Sequence, residues 1–329
     1  MTERGFAMRV PRLVTSCAIV LAMAGTAAAQ TVGIGSSGPG SITYSIASAV
    51  AKIITEQVGA QVRVQPRGGN TVVLPAVNAG EVDFGTGNTN EMAEALSGAG
   101  MYEGQKLANL RVVTVLMPTP VAVFVKKDSP IRSIKDLKGK RVPGAWTTMK
   151  IVQNIMTGVL ANAGLSWNDV RVVPVPNVLR NADDFIQGRL DAFFFALGTG
   201  KVLEADTAVG GIRALPIDPS PEAMARFREH LPQVYAHTVL PSEEHPGIVE
   251  PTSVATFDLL FLTHAKTSEE FIYKVTKALH DGRASMLASF KTLGTGFSSE
   301  KMAKKLAAGE YHPGAIKFYR EKGLWPPKE

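Results

Sequence analysis

The sequence predicts an α/β protein of two lobes, each a mostly parallel sheet flanked by helices, with two crossings of the chain between them acting as a hinge. Short apolar runs alternate with segments of helical periodicity, the pattern of a parallel sheet built from strand–helix units. Gly188-Arg189-Leu190-Asp191-Ala192 echoes Gly80-Glu81-Val82-Asp83-Phe84: glycine, charge, aliphatic residue and aspartate lead into a strand, as two lobes of like construction would require. Proline interrupts an apolar stretch at Pro118-Thr119-Pro120, and a proline-rich charged segment spans 239–252. Proline cannot donate to a sheet ladder, so both read as crossings. The first lobe then comprises residues 30–118 and 253–329, and the second 119–252.

Thr31 to Ile34 reads as a strand, followed by the glycine-rich turn Gly33 to Ser41. A helix comes next, with apolar residues at Ile42, Ile46, Val50 and Ile53/Ile54. A strand, a glycine turn and a helix start expose free backbone N–H groups and the positive end of a helix dipole, a seat for an anion. The glycines at 33, 35 and 38 also spell a dinucleotide fingerprint. However, the next strand, Val62-Arg63-Val64, runs into Gln65-Pro66-Arg67 without the carboxylate that would hold a ribose, and no Gly-Lys-Ser/Thr follows. No cofactor is expected.

Further along, Gly68-Gly69-Asn70 is a second turn before a helix over 71–79, and Asn88-Thr89-Asn90 follows a strand and caps a third helix. Leu110 to Met117 and Val121 to Val125 read as two strands. Trp146-Thr147-Thr148 opens a helix through Ala163, and strand–helix–strand covers 170–195. Val254 to Leu262 re-enters the first lobe, Thr267-Ser268-Glu269-Glu270 is a capping box, and two helices near 299–308 and 314–322 finish the chain.

Arg4, Arg9 and Arg12, the apolar run Leu13 to Gly25, and Ala27-Ala28-Ala29 make residues 1–29 a cleavable secretory signal peptide, too short for a stable anchor. The only cysteine, Cys17, lies within it. The 300 residues that follow, of the 329, must therefore rely on packed cores, which suits a periplasm. Three arginines and one glutamate leave with the leader, so the net charge falls from +6 to +4. With no basic patch interleaved with aromatics, nucleic acid is not an expected partner, and the mature chain is expected not to insert in a membrane.

The sequence resembles the TAXI family of solute-binding subunits of TRAP-type transporters. The resemblance rests on Ser133-Ile134-Lys135-Asp136-Leu137-Lys138-Gly139-Lys140-Arg141-Val142, on Gly80 to Phe84, and on Tyr311-His312-Pro313-Gly314-Ala315-Ile316-Lys317-Phe318-Tyr319. It implies a two-lobed periplasmic binding protein of the type II-like kind that closes on a small organic anion, a carboxylate such as glutamate, and delivers it to a TRAP membrane permease. Carried over by position, the family's first loop matches Ser36 to Tyr44, with Thr43 in place of one tyrosine. Its second turn matches Gly68-Gly69-Asn70, and its third matches Asn88-Thr89-Asn90, where an amide replaces a carboxylate. That replacement makes an α-amino acid less comfortable than a plain carboxylate. The second-lobe turn is changed most, to Trp146-Thr147-Thr148-Met149-Lys150, and His245 stands in place of a family tyrosine near the return crossing.

The expected ligand-binding residues are thus Ser36, Ser37, Gly38, Ser41 and Tyr44 in the first turn, Gly69 and Asn70 in the second, and Asn88, Thr89 and Asn90 in the third. Trp146, Thr147, Thr148 and Thr199 are expected from the other lobe. Helix capping competes with ligand contact for the hydroxyls and amides, and a core position competes for Trp146. Arg67 could pair with a carboxylate, and His312 before Pro313 reads as a helix-start device. The histidines show no metal-ligand spacing, and no metal is expected. Hydroxyls, amides and glycines bind without performing chemistry, so the reading is a binding subunit and not an enzyme. The alternatives are a periplasmic ligand sensor presenting to a membrane receptor, or an enzyme on the same scaffold.

Overall fold

A computed structural model describes residues 1–3 and 31–327. The signal peptide expected over 1–29, including Cys17, lies almost wholly outside the described residues. The chain opens with strand β1 (Thr31–Ser36), helix α1 (Ile42–Val58), β2 (Gln61–Pro66), α2 (Asn70–Ala79), β3 (Phe84–Asn88) and α3 (Thr89–Ser97). Ser41 starts α1 by accepting a hydrogen bond from Tyr44 N, and Ile46, Val50, Ile53 and Ile54 form its buried stripe. The long strand β4 (Leu110–Lys126) then leads into β5 (Arg141–Gly144), α4 (Lys150–Asn162), β6 (Arg171–Pro174), α5 (Val178–Ile186) and β7 (Phe193–Ala196). Next come α6 (Gly200–Val209), β8 (Ile212–Leu215), α7 (Pro221–Arg228) and β9 (Tyr235–Val239). A second long strand, β10 (Thr252–His264), returns to α8 (Glu269–Asp281), α9 (Arg283–Ser289), α10 (Lys291–Gly296) and α11 (Pro313–Glu321).

Among the described residues, eight strands form one mixed sheet in the order β2-β1-β3-β10-β4-β7, with β8 on β4 and β9 on β10. Strands β5 and β6 form a separate parallel pair. β1 runs parallel to β2 and β3, whereas β4 and β10 run antiparallel to each other and to their other partners. Two hydrophobic cores share this sheet. One draws on residues between Val32 and Met117 and between Leu259 and Tyr319, and the other on residues between Val121 and Phe257. The β4–β10 ribbon is the only paired backbone that passes from one core to the other among the described residues.

Several expected boundaries move. Pro118 and Pro120 do not break the apolar stretch in two; β4 continues through both, opposite Asp258 and Thr256 of β10. Pro120 needs only its carbonyl, which accepts from Leu197 N at 3.0 Å, and register shifts of β10 against β4 sit next to this region. The helix expected from Trp146 starts instead at Lys150. Ala145 takes a left-handed φ of 50°, and Thr148 is bonded to Pro176 O, which holds the segment out of helical geometry. The helix expected near 299–308 reduces to one tight turn, Ser299–Lys301.

The five-residue echo has a physical role in both lobes. Gly80 and Gly188 end their helices with φ near 77° and 72°. Asp83 Oδ2 then accepts from Gly33 N of β1 at 2.8 Å, and Asp191 Oδ2 accepts from Arg141 N of β5 at 2.8 Å. Each aspartate also donates its own N–H back to the same residue's carbonyl. Each echo therefore ties the end of a helix to a strand of its own lobe, β1 in the first and β5 in the second. Asp83→Ala is expected to lower stability by about 1–3 kcal/mol, measured by denaturant unfolding, because Gly33 N loses a charged acceptor. Hydrogen bonds from Arg141 hold the Asp191 carboxyl below the usual carboxylate range. That pair's contribution is present above the unfolded carboxyl's pKa and fades as pH falls below about 4.

Candidate functional site

The two lobes meet around a cavity of about 80 Å³. Its first-lobe wall is polar, made by Ser41, Thr43, Asn70, Asn88 and Glu91; Thr119 joins it from β4, at the crossing. Its second-lobe wall is apolar, with Ile151, Val152 and Ile155 of α4 facing Phe194 and Phe195 of β7. Phe257 and Leu259 of β10 line it from the hinge. The starts of α1, α2 and α3 in one lobe and of α4 and α5 in the other converge on it, since Ser41, Asn70, Asn88, Ile151 and Val178 all line it. No side chain caps α2 or α4, whose first turns close on backbone carbonyls instead, Val72 N and Val73 N donating to Gly69 O and Val152 N to Met149 O. Among the described residues the lining includes no lysine or arginine.

The polar wall is cross-braced. Ser41 Oγ donates to Gly38 O, Thr43 Oγ1 accepts from Ser37 N, and the two hydroxyls meet at 3.2 Å. Asn88 Oδ1 accepts from Asn90 N and Glu91 N, while Glu91 Oε2 accepts from Asn88 N at 2.8 Å and from Asn70 Nδ2 at 2.9 Å, a reciprocal capping box. Burial pushes the Glu91 carboxyl up to about 7, against the lowering effect of those two bonds and with Glu94 repelling it further. Asn70 Oδ1 and Thr119 Oγ1 are buried without a partner among the described residues, as is Ser37 Oγ close by.

Of the expected residues, the structure brings Ser41, Asn70 and Asn88 to the cavity lining. Ser36 and Ser37 are buried just behind it, and Ser36 Oγ donates to Ser37 O. Gly38 lies against Leu179 of the other lobe, and Tyr44 sits half-buried on α1, outside the lining. Thr89 and Asn90 reach across the lobes instead: Gln233 Nε2 donates to Thr89 O and Gln233 N to Asn90 Oδ1, both at 2.9 Å. Gly69 packs against Thr148 and Met149, so the second turn and the second-lobe loop touch directly. Trp146 is buried in the second core, Thr147 is exposed, and Thr148 Oγ1 donates to Pro176 O. Thr199 is buried and donates to Ala196 O. Arg67 pairs with Glu81 at 3.6 Å, and His312 caps α11 by accepting from Gly314 N.

Glu91, Thr43, Thr119 and the aliphatic wall were not foreseen. Glu91 carried one signal, its place three residues after Asn88 in the Asn-x-x-Glu pattern of a capping box, but that pattern does not show which boxes are buried.

The lobes are held shut by more than the cavity. Asn154 Nδ2 donates to Glu94 Oε1 at 3.0 Å, Thr292 Oγ1 donates to Gly198 O at 2.8 Å, and Gln233 makes the two bonds described above. Gln233→Ala removes one of these and should leave the fold intact while weakening the closed form. A loss of about three- to tenfold in affinity for any cleft ligand is expected by calorimetry, with little change in melting temperature of the unliganded chain. A broader hollow of about 740 Å³ lies at the hinge, lined by Met117, Tyr235 and Lys304 among others. Tyr235 and Lys304 are already satisfied by Asp258, so that hollow has less to offer a ligand.

A family model described as NMT1-like family matches residues 34–323. The chain belongs to the NMT1-like family. Its resemblance to the TAXI family is thereby overturned, and with it the TRAP permease as the implied partner. The segments that carried the resemblance build the lobes and do not face the cleft. Ser133 to Leu137 is a capped turn, the Gly80 segment ties α2 to β1, and Tyr319 OH donates to Val113 O inside the first core.

The NMT1-like chain is 31% identical over 149 residues to a putative aliphatic sulfonates-binding protein of Escherichia coli (strain K12), a match covering 44% of this chain and 41% of that relative's length. Among solved structures it is similar to the periplasmic binding protein BugD, with a TM-score of 0.59, 13% identity, and coverage of 90% of this chain and 95% of that one. It is also similar to the alkanesulfonate-binding protein SsuA from Xanthomonas axonopodis pv. citri bound to MOPS, with a TM-score of 0.51, 18% identity, and coverage of 91% and 96%. At these identities the likeness establishes the fold, which is that of periplasmic binding proteins. Among the described residues no helix is long and apolar enough to cross a membrane.

Proposed function

We propose that this NMT1-like chain is an exported solute-binding subunit that captures a small organic acid between its lobes and presents the closed form to a membrane permease. The observation that carries this reading is the convergence of helix starts from both lobes on one cavity with a polar and an apolar wall. Uncapped helix starts favour negative charge, and the aliphatic and phenyl wall favours a short hydrocarbon. The names of the relatives support the same class, since they bind sulfonates. A further fold neighbour, with a TM-score of 0.50 and 12% identity, is described as an amino acid ABC transporter substrate-binding protein. An ATP-driven importer is accordingly the permease class we assign.

Size narrows the ligand. A cavity of roughly 150 Å³ holds a benzene-sized guest, so about 80 Å³ is filled by roughly three or four non-hydrogen atoms, and a larger solute requires the lobes to part further. The lining offers hydroxyls, amides, one carboxyl and aliphatic walls, groups that hold and orient a solute. Export to the periplasm follows from the sequence of residues 1–29.

A thermal-shift screen of the chain lacking residues 1–29 against short carboxylates, sulfonates and amino acids tests this. A ligand at a hundred times its Kd should stabilise the protein by about 2.7 kcal/mol and raise its melting temperature by several degrees. Stabilisation by none of these classes, or chemical conversion of a bound compound, would contradict the reading.

A further inference from the structure

Two residues of the polar wall, Asn70 and Glu91, present acceptors to the cleft. Asn70 Nδ2 donates to Glu91 Oε2, which fixes the orientation of the amide and makes Oδ1 its remaining polar atom. Oδ1 can only accept, and it is buried in the cavity wall with no partner among the described residues; Asn70 itself is 9% exposed. Glu91 is 1% exposed and lines the same cavity, and both of its hydrogen bonds, from Asn70 Nδ2 and Asn88 N, go to a single oxygen, Oε2. No lysine or arginine of the described lining pairs with it.

Resting on the solute-binding reading above, we infer that the ligand carries an amino group, and that Glu91 and Asn70 Oδ1 are the acceptors that select it. The substrate class is then a small aliphatic amino acid or aminosulfonate, with its acid group at the helix starts and its ammonium against Glu91. The expectation drawn from Asn90 is reversed, because the carboxylate missing there is supplied one residue further along α3. The charge balance agrees. An ammonium offers three donors and a positive charge to a wall that presents a buried carboxyl and a buried amide oxygen. A plain acid would bring a second negative charge to that same wall.

The titratable groups facing Glu91 are Glu94, one turn along α3, and Tyr102, whose hydroxyl donates to Asn70 O. Burial raises the pKa of both. The opposite lobe presents Ile151, Val152, Ile155 and Phe194, none of which titrates. With the Glu91 carboxyl pushed up to about 7, it is partly protonated at neutral pH, and an ammonium ligand that favours the carboxylate releases that fraction of a proton on binding.

Titration calorimetry on matched pairs tests the inference: β-alanine against propionate, and 2-aminoethanesulfonate against ethanesulfonate. The amino member of a pair should bind about ten- to a hundredfold tighter than its partner. Its affinity should rise between pH 6 and pH 8, and buffers of different ionisation heat should reveal a released proton. Glu91→Gln, which preserves shape and removes the charge, should reduce the preference to about threefold or less. The comparison on the unaltered protein holds even if that variant folds poorly. A plain acid bound as tightly as its amino partner, with affinity falling as pH rises, would overturn the inference and leave the solute-binding reading standing. Failure of both pairs to bind at millimolar concentration, alongside a silent thermal screen, would instead remove the solute-binding reading and this inference with it.

Discussion

Gly69→Val should weaken capture of any cleft ligand by about ten- to a hundredfold while the two cores remain folded. Gly69 has φ 130° and ψ −179°, a conformation open to glycine alone, and it sits where the first lobe meets the second. A Cβ placed there would stand 3.0 Å from Met149 Cγ and 3.1 Å from the Thr148 carbonyl oxygen. Met149 can swing aside, but Thr148 cannot follow easily, because its N–H and hydroxyl both bond Pro176 O. The branched side chain therefore strains the turn at Gly69 and wedges against the second-lobe loop that it meets. Calorimetry against a ligand from the matched pairs would read the loss, and circular dichroism would report the fold. Unchanged affinity would mean that the lobes do not need this contact to close.

Phe193→Ala should cost about 3–5 kcal/mol of stability, the range for removing a buried phenyl ring. Phe193 is fully buried in the second core, with ring centroids 5.0 Å from Phe124 and 4.7 Å from Phe185. β7 has only four residues, so its hold on β4 depends on this cluster. Phe194 and Phe195 line the cavity and Phe193 does not, so the variant should lose several degrees of melting temperature yet bind within a few-fold of the unaltered chain at low temperature. A large loss of affinity without loss of stability would place the lobe boundary elsewhere.

Much of the scaffold could be read directly from local chemistry. The glycine caps at Gly80 and Gly188 and the aspartates that follow marked helix ends and strand starts, and the apolar stripe of α1 gave its buried face. These signals are local, and they survive tertiary packing. Continuity of β4 through Pro118 and Pro120 was not legible, because whether a proline's missing donor matters depends on which neighbour lies on that side.

The candidate site was legible in outline only. Turns that start helices pointed to Ser41, Asn70 and Asn88, which share the cavity. Thr89 and Asn90 belong to the same turn but face Gln233, about 140 residues away in sequence, and no local pattern could announce that partner. Glu91 is hidden for a related reason, since a charged residue in the first turn of a helix is ordinarily solvated, and its burial against Asn70 and Asn88 is set by tertiary packing. The TAXI resemblance failed because it rested on scaffold segments, which specify lobes and leave the ligand undetermined.

The central claim is that two lobes, joined through the β4–β10 ribbon, close on a small solute. Small-angle X-ray scattering of the chain lacking residues 1–29, recorded with and without saturating β-alanine or 2-aminoethanesulfonate, tests it most directly. Contraction of the radius of gyration on binding, abolished in Gly69→Val, is the predicted result. An identical scattering profile with and without a ligand shown by calorimetry to be bound would contradict it.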